Sequence, residues 1–158
     1  MAPSGQMRKK TPEAQVREFI AKFEPANQRL IRATRSIMRR KFPTAIELVY
    51  DNYNFFVIGY SPNQRPSDAI FSIAAAANGV GLCFIRGKGL PDPTGRLQGS
   101  GNQTRFLRLP MADMLEEPDV SDLMNAAVAK SRVPFPKSGR SSLVIRSVSK
   151  KQRPRRKA

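Results

Sequence analysis

The densest cluster of functional groups in the sequence is the run Tyr50-Asp51-Asn52-Tyr53. As a ligand site, Asp51 would be an acceptor or weak base, Asn52 an orienting amide, and Tyr53 an aromatic wall with a polar tip. As a structural feature, the run suits a turn between strands, because Asp and Asn side chains hydrogen-bond to the local backbone. The turn is the favoured interpretation, and the ligand site is its alternative.

A second candidate ligand site is the glycine-containing run that leads into a predicted strand: Gly99, Ser100, Gly101, Asn102 and Arg105. Two glycines let a backbone approach an anion closely, and the arginine supplies positive charge. A phosphate-binding loop of the common kind precedes a helix, whose N-terminus adds its dipole, whereas this run precedes a strand. A plain loop with a glycine bulge is therefore favoured over a phosphate site.

Asp92 is a third candidate, held between Pro91 and Pro93. Proline restricts its own φ and the residue before it, so this segment is predicted to be a rigid extended turn. If Asp92 faced the same pocket as Asp51, the two carboxylates would suit metal binding or acid–base work. Separate carboxylates are favoured, and neither a metal ion nor a cofactor is predicted.

The composition lowers the expectation of an enzyme. The chain contains no histidine and one cysteine, Cys83. Without histidine there is no Ser-His or Cys-His nucleophile pair, and the usual zinc ligand set is missing. Cys83 lies in the middle of a predicted strand and is expected to be a small buried residue rather than a reactive thiol. A non-catalytic role is favoured, with a histidine-free enzyme using Asp51, Tyr53 or Asp92 as an alternative.

Charge is the most unusual property of the sequence. The formal net charge is +16, from 28 basic and 12 acidic residues, and residues 133–158 contain nine basic and no acidic side chains. Such segments attract polyanions, namely nucleic acid, anionic membranes or acidic proteins, and nucleic acid is the candidate partner. The basic run has no interleaved aromatic residues, so base stacking is not predicted. The residues predicted to contact phosphates are Arg32, Arg35, Arg39, Arg40, Lys150, Lys151, Arg153, Arg155, Arg156 and Lys157.

The hydrophobic pattern predicts two helices, about five strands and a third helix. Thr11 and Pro12 begin the first helix, and a helical period of apolar residues continues through the second. The period then changes to two, and Asn78-Gly79 is predicted to form the centre of a type I′ hairpin turn. Segregated helices and strands predict an α+β fold, with an antiparallel sheet and helices packed on one face. The predicted strands begin near Ile46, Asn54, Ala69, Val80 and Gln103, and the last helix covers Pro118 to Lys130.

The domain organisation follows from composition. Residues 1–11 are predicted to be a basic N-terminal tail, residues 12–132 the α+β domain, and residues 133–158 a basic, largely disordered C-terminal tail. Within that tail, Leu143-Val144-Ile145 would suit a short docked strand, but disorder is favoured. The longest apolar run, Gly79 to Ile85, is too short to span a membrane, and no secretory signal is recognisable, so a cytoplasmic location is predicted. The sequence does not indicate an oligomeric state.

Residues Val16 to Val128 resemble the YdhG-like domain of uncharacterised bacterial proteins. The resemblance rests on the helix Pro25–Phe42, the following Pro43 and Glu47, the hairpin and the closing helix. Two loops, beginning at Leu90 and Gly99, resemble one branch of that family. The turn usual in the family, an aromatic-Gly-Met-Pro type, is replaced here by Tyr50 to Tyr53.

The resemblance implies the α+β fold but no assigned activity. Some relatives are described as iron chaperones with a frataxin-like fold, which needs an acidic helical surface, because hard cations take several oxygen ligands. Arginines occupy that position here, so the iron role is disfavoured. The leading prediction is a non-catalytic YdhG-like binding module whose ligand, a small molecule or a protein, is unknown. The alternatives are a nucleic-acid-associated protein, a histidine-free enzyme and an iron chaperone.

Overall fold

The computed structural model describes residues 10–157 and has an α+β fold. Three α-helices (α1–α3), six strands (β1–β6) and two short 3-10 helices, Pro66–Asp68 and Ala112–Glu116, make up its regular structure. The helices are Pro12–Ala21, Pro25–Lys41 and Pro118–Lys130, and the strands are Ile46–Asp51, Phe56–Ser61, Phe71–Ala76, Gly79–Phe84, Arg105–Arg108 and Leu143–Val148. The predicted fold class and the three predicted helices are confirmed.

The helices begin where the local chemistry predicts. The side-chain oxygen of Thr11 accepts a hydrogen bond from the Ala14 N–H at 3.1 Å, which caps the first turn of α1. Each of the three helices has proline in its first turn, where a missing N–H costs nothing. Because only three residues separate the end of α1 from Pro25, α1 and α2 form a tight helical hairpin.

The sheet corrects the predicted count and direction of the strands. Its order is β5-β4-β3-β2-β1-β6, and every neighbouring pair is antiparallel except β1 and β6, which are parallel. The sixth strand comes from the segment predicted to be largely disordered, so that prediction is wrong for Leu143–Val148. Three consecutive apolar residues in this strand pair with the free edge of β1, which partly buries their side chains and satisfies edge backbone groups.

The predicted β3–β4 hairpin is present, but its turn differs from the prediction. Ala76 pairs with Gly79, so the two connecting residues are Ala77 and Asn78 rather than Asn78 and Gly79. Gly79 has φ +127° and no non-glycine residue among residues 10–157 has positive φ. A type I′ turn needs positive φ at both of its central residues, so this connection is not one.

The hydrophobic core lies between the helices and one face of the sheet. Val49, Ile58, Ile73, Leu82 and Leu107 point from successive strands into this layer and are at most 1% exposed. The same face of β1 carries Glu47 and Asp51, because side chains alternate along a strand. Polar groups of β1 are therefore placed directly beneath the helices.

Several turns meet at one end of the sheet, which we call the turn end. The β1–β2 turn and the β3–β4 hairpin lie there by topology. The α1–α2 connection joins them, since Lys22 Nζ lies 2.7 Å from the Asp51 carboxylate and Asn27 Nδ2 donates to Ala77 O at 3.2 Å. Among residues 10–157, no helix has the length and apolar character needed to span a membrane.

Candidate functional site

Asp51 is a buried ion-pair partner rather than an exposed ligand group. It ends β1 with its side chain 0% exposed, and its Oδ1 accepts a hydrogen bond from Arg155 Nη2 at 2.9 Å. Its Oδ2 accepts from Lys22 Nζ at 2.7 Å. Because both oxygens are engaged by cations, Asp51 holds the C-terminal segment and the end of α1 to β1.

Residues 149–157, which we call the C-terminal segment, follow the β1–β2 turn closely. The Ser149 N–H donates to Asp51 O and the Arg153 N–H to Tyr53 O, both at 2.9 Å. Arg155 Nη2 also donates to Asn52 O at 2.6 Å, and its guanidinium carbon lies 5.9 Å from the centre of the Phe23 ring. Arg155 is 4% exposed, so this one arginine is directed inward.

The remaining basic side chains of the C-terminal segment point outward. Arg156 Nε donates to Lys22 O at 3.3 Å, so the segment crosses the end of α1. No acidic residue lies within the segment. The anchored backbone therefore presents a compact group of exposed cations: Lys150, Lys151, Arg153, Arg156 and Lys157.

A second group of cations lines a groove of about 400 Å³ between α1 and α2. Arg17, Arg32 and Arg39 are exposed along it, and Arg35 lies at its base. Arg17 makes no hydrogen bond or ion pair with another side chain within residues 10–157, and Arg32 donates only to Gln28 at 3.1 Å. Two of these guanidinium groups are thus available to an anion.

Arg35 is a structural arginine, although it belongs to the predicted phosphate-contacting set. It donates to Glu47 from Nε and Nη2, and to Glu13 from Nη1 at 2.6 Å. Burial alone would lower the pKa of Arg35, but hydrogen bonds to Glu47 and Glu13 raise it above its ordinary value. Arg40 is also engaged, since its Nη2 donates to Glu116 at 3.0 Å.

Glu47 also accepts a hydrogen bond from Tyr60 Oη at 2.9 Å. Burial raises the pKa of Tyr60 well above its ordinary value, and the negative charge of Glu47 raises it further. Hydrogen bonding to Arg35 lowers the pKa of Glu13. This network ties α1, α2, β1 and β2 together, and it accounts for charged groups beneath the helices without a catalytic role.

The groove and the C-terminal segment both adjoin α1, the groove along the helix and the segment at its C-terminal end. Arg17 precedes Lys22 by five residues, which is roughly 7–8 Å of helix rise. Lys22 in turn donates to Gln152 Oε1 at 3.0 Å, so the C-terminal segment adjoins the end of the helical hairpin. We use "basic face" for the following exposed residues: Arg17, Arg32, Arg39, Lys150, Lys151, Arg153, Arg156 and Lys157.

The other residues of the Tyr50–Tyr53 run have separate environments. Tyr50 is half-buried on the sheet face that points away from the helices, and Asn52 Oδ1 accepts from Ser147 Oγ at 2.6 Å. Tyr53 is 45% exposed beside Arg153, whose guanidinium carbon lies 5.6 Å from the ring centre. Tyr50 and Asp51 end β1, Asn52 and Tyr53 begin the β1–β2 turn, and Tyr53 alone presents a large exposed surface.

The loop candidates lie at the opposite edge of the sheet. The Asp92 carboxylate accepts hydrogen bonds from the Arg96 and Leu97 N–H groups at 2.8 and 2.9 Å, which closes a local turn. Arg105 Nη1 donates to Gly101 O and Thr104 O. β5 and β1 are four strand spacings apart in the sheet order, roughly 19 Å. Asp51 and Asp92 therefore share no pocket.

The rest of this loop is exposed: Gly99, Ser100, Gly101 and Asn102. Gly99 has φ +116° and lies against Thr104 O, which suits a glycine at a tight loop start. Residues 10–157 contain no group of three His, Cys, Asp or Glu side chains placed to hold a metal ion. Burial raises the pKa of the Cys83 thiol, which disfavours a reactive thiolate.

Two functional basic residues were not predicted from the sequence: Arg17, which belongs to the basic face, and Lys22, which binds Asp51 and Gln152 beside it. Arg17 is the only exposed arginine that α1 contributes, so no local run of charges marks it. Its significance depends on the packing of α1 against α2, which brings it into the same groove as Arg32. Lys22 similarly has no distinctive local pattern, because both of its side-chain partners lie far along the chain.

Comparison of the chain with models of protein families, with curated proteins and with solved structures finds no match in any of the three. The YdhG-like resemblance stays a prediction.

Proposed function

We propose that this protein is a non-catalytic binding module whose ligand is nucleic acid, held through its phosphate backbone by the basic face. The observation that carries the proposal is the pairing of Arg155 with Asp51. This contact holds a segment rich in Lys and Arg against the C-terminal end of α1, whose earlier turns line the arginine groove. The YdhG-like resemblance enters the proposal for the fold alone.

The distribution of charge supports this assignment. Apart from Asp51, which is buried and accepts from Lys22 and Arg155, the acidic side chains that accept from basic ones lie away from the turn end. Glu116 engages Arg40 and Lys41 at the C-terminal end of α2, and Asp68 lies in the β2–β3 connection near Arg65. Within residues 10–157, Arg39 is the one member of the basic face that lies within 4 Å of carboxylates, those of Glu13 and Glu47.

The chemistry of such a face is backbone recognition. Each phosphate neutralised by Lys or Arg releases condensed counterions, so the logarithm of the affinity falls by about 0.9 per contact for each tenfold rise in salt. Arginine adds two-pronged hydrogen bonding to phosphate oxygens. No transferred group, nucleophile or metal is required, which accords with the absence of histidine from the sequence.

The test is fluorescence anisotropy of the full chain with labelled oligonucleotides over a salt series. We expect submicromolar to micromolar binding at moderate salt with a steep slope. The double change R17A/R32A should reduce the magnitude of the slope by about 1.8 on a duplex and by about 1.4 on a single strand, where each contact counts about 0.7. The double change K150A/K151A should do the same.

Arg65→Ala is the matched control, because Arg65 is an exposed arginine in the β2–β3 connection, away from the basic face. It should leave the slope nearly unchanged. The proposal is overturned if the full chain does not bind at moderate salt. It is also overturned if Arg65→Ala weakens binding, per charge removed, as much as the two double changes do.

A further inference from the structure

A groove of about 370 Å³ opens at the turn end beside the basic face. The β1–β2 turn supplies Asn54 and Phe55, the β3–β4 hairpin supplies Ala76 to Asn78, and the C-terminal segment supplies Arg153 and Pro154. Three parts of the chain that are distant in sequence therefore meet around one opening. We call it the turn groove.

Exposed aromatic rings mark this groove. Phe55 is 48% exposed and Tyr53 is 45% exposed, and they are the only aromatic residues among the large exposed hydrophobic side chains of residues 10–157. Phe55 lines the groove, and Tyr53 lies beside it against the Arg153 guanidinium. A ring held on a clamped turn, with one face open to water, is a stacking platform for a flat ligand.

Polar groups of the groove are available to form hydrogen bonds with such a ligand. The side-chain amides of Asn54 and Asn78 make no hydrogen bond to another protein group within residues 10–157. The backbone carbonyl of Asn78 accepts a hydrogen bond from Arg108 Nη2 at 3.0 Å. Each amide has donors and an acceptor, which match the edges of nucleobases. Arg153 adds positive charge and a planar face.

We propose that the turn groove binds the bases of single-stranded nucleic acid, with Phe55 as the stacking residue and Asn54 and Asn78 at the base edge. The inference rests on the proposed function, since the basic face would hold the backbone that leads into the groove. A duplex keeps its base faces stacked internally, so a protein that stacks bases on aromatic rings selects single strands. Charge complementarity favours this ligand over an apolar peptide.

The fold brings aromatic residues next to the basic run. The basic run contains no aromatic residue, and base stacking was therefore not predicted. The structure brings Tyr53 and Phe55 to that run, because the Arg153 N–H hydrogen-bonds to Tyr53 O at 2.9 Å. Aromatic and basic side chains are interleaved in space rather than along the chain.

The test compares the full chain bound to a short oligothymidylate and to an abasic oligomer of the same length and charge. Wild type should bind the base-bearing oligomer at least about tenfold more tightly at the same salt, because stacking of one base contributes roughly 1–3 kcal/mol. Phe55→Ala should remove most of this preference and leave the abasic affinity and the salt slope unchanged. Phe55→Trp should retain the preference.

Met111→Ala is the control, since Met111 is 60% exposed and does not line the groove. It should behave as wild type. Equal affinity of wild type for both oligomers, or an equal loss for both in Phe55→Ala, overturns the base site and leaves backbone binding intact. Binding of neither oligomer overturns the proposed function as well.

Discussion

The carboxylate of Asp51 and the guanidinium of Arg155 are 104 residues apart in sequence and 2.9 Å apart in the structure. Their side chains are 0% and 2% exposed. A charge that is buried away from water needs a partner of opposite sign, and Asp51 and Arg155 are such partners for each other. This contact makes the last part of the chain a structural component of the domain and orients the neighbouring cations outward.

Breaking this pair should destabilise the protein strongly. Arg155→Ala should lower the free energy of unfolding by about 3 kcal/mol, because it leaves a buried carboxylate with only the partly exposed Lys22 as a partner. Asp51→Ala should cost about 3–5 kcal/mol, since the buried Arg155 would lose its only charged partner. Urea unfolding followed by circular dichroism measures both.

Arg153→Ala is the control for the loss of one positive charge from the same segment, and it should change stability by less than about 0.5 kcal/mol. If Arg155→Ala unfolds at the same urea concentration as Arg153→Ala, the C-terminal segment is not held in solution by this contact.

The sequence predicted the fold class, the three helices and the first five strands because their signals are local. Thr11-Pro12 marks a helix start, and the run of β-forming residues from Phe55 to Ile58 marks a strand. β6 and Arg155 carry no comparable local signal. Leu143 to Ile145 lie among serines and arginines, so the average composition of residues 133–158 resembles a disordered chain. Only the free edge of β1 and the buried Asp51 give this segment a place to bind.

The same distinction applies to the candidate sites. Arg32, Arg39 and the terminal cations other than the buried Arg155 were predicted from charge alone and lie on the basic face. Arg35 was predicted with them but is internal, because its position on α2 faces Glu47 rather than solvent. The helical period of the sequence indicates which residues share a face of α2, but it does not identify which arginine pairs with a buried carboxylate.

Tyr60 should titrate late in the folded protein. Burial and the Glu47 charge raise its pKa above the unfolded value of about 10, so the folded state retains the phenol proton more strongly. Its contribution to stability is therefore complete below pH 10 and is lost as the pH rises through the folded pKa. The tyrosinate absorbance of wild type minus that of Tyr60→Phe should show no native-state titration near pH 10.

Tyr53→Phe serves as the matched control, since it removes one hydroxyl from an exposed ring. Its alkaline unfolding should match that of wild type, whereas Tyr60→Phe should reduce the pH dependence above pH 10. A difference spectrum with an ordinary tyrosine pKa for Tyr60 would contradict the buried Glu47–Tyr60 contact.

Glu13 should contribute to stability against acid. The hydrogen bond from Arg35 lowers its pKa, so its contribution is present above the unfolded value of about 4.3 and is lost as the pH falls through the folded pKa. Its side chain is 42% exposed, so solvent screening limits the effect to about 1 kcal/mol or less. Thermal unfolding between pH 3 and pH 6 should show a shallower acid dependence for Glu13→Gln than for wild type.

Glu18→Gln provides the comparison, because Glu18 pairs with Lys10 at an exposed position on the same helix. Its acid dependence should follow that of wild type. Identical curves for Glu13→Gln and Glu18→Gln would show that Arg35 does not hold the Glu13 carboxylate in solution.

Arg155→Ala should also alter binding, although Arg155 is buried and does not contact the ligand surface. Without this anchor, Arg153 and Pro154 no longer form one wall of the turn groove. The preference for a base-bearing oligomer over an abasic one should fall by about tenfold, because an ordered site no longer exists before binding. Salt-dependent binding should persist, since a released chain keeps its exposed cations.

Lys157→Ala removes one charge and leaves the anchor intact, so it should weaken the binding of both oligomers equally. Anisotropy separates these outcomes when it is measured at a temperature at which circular dichroism shows Arg155→Ala to be folded. An unchanged base preference in Arg155→Ala would show that the groove does not depend on the C-terminal segment.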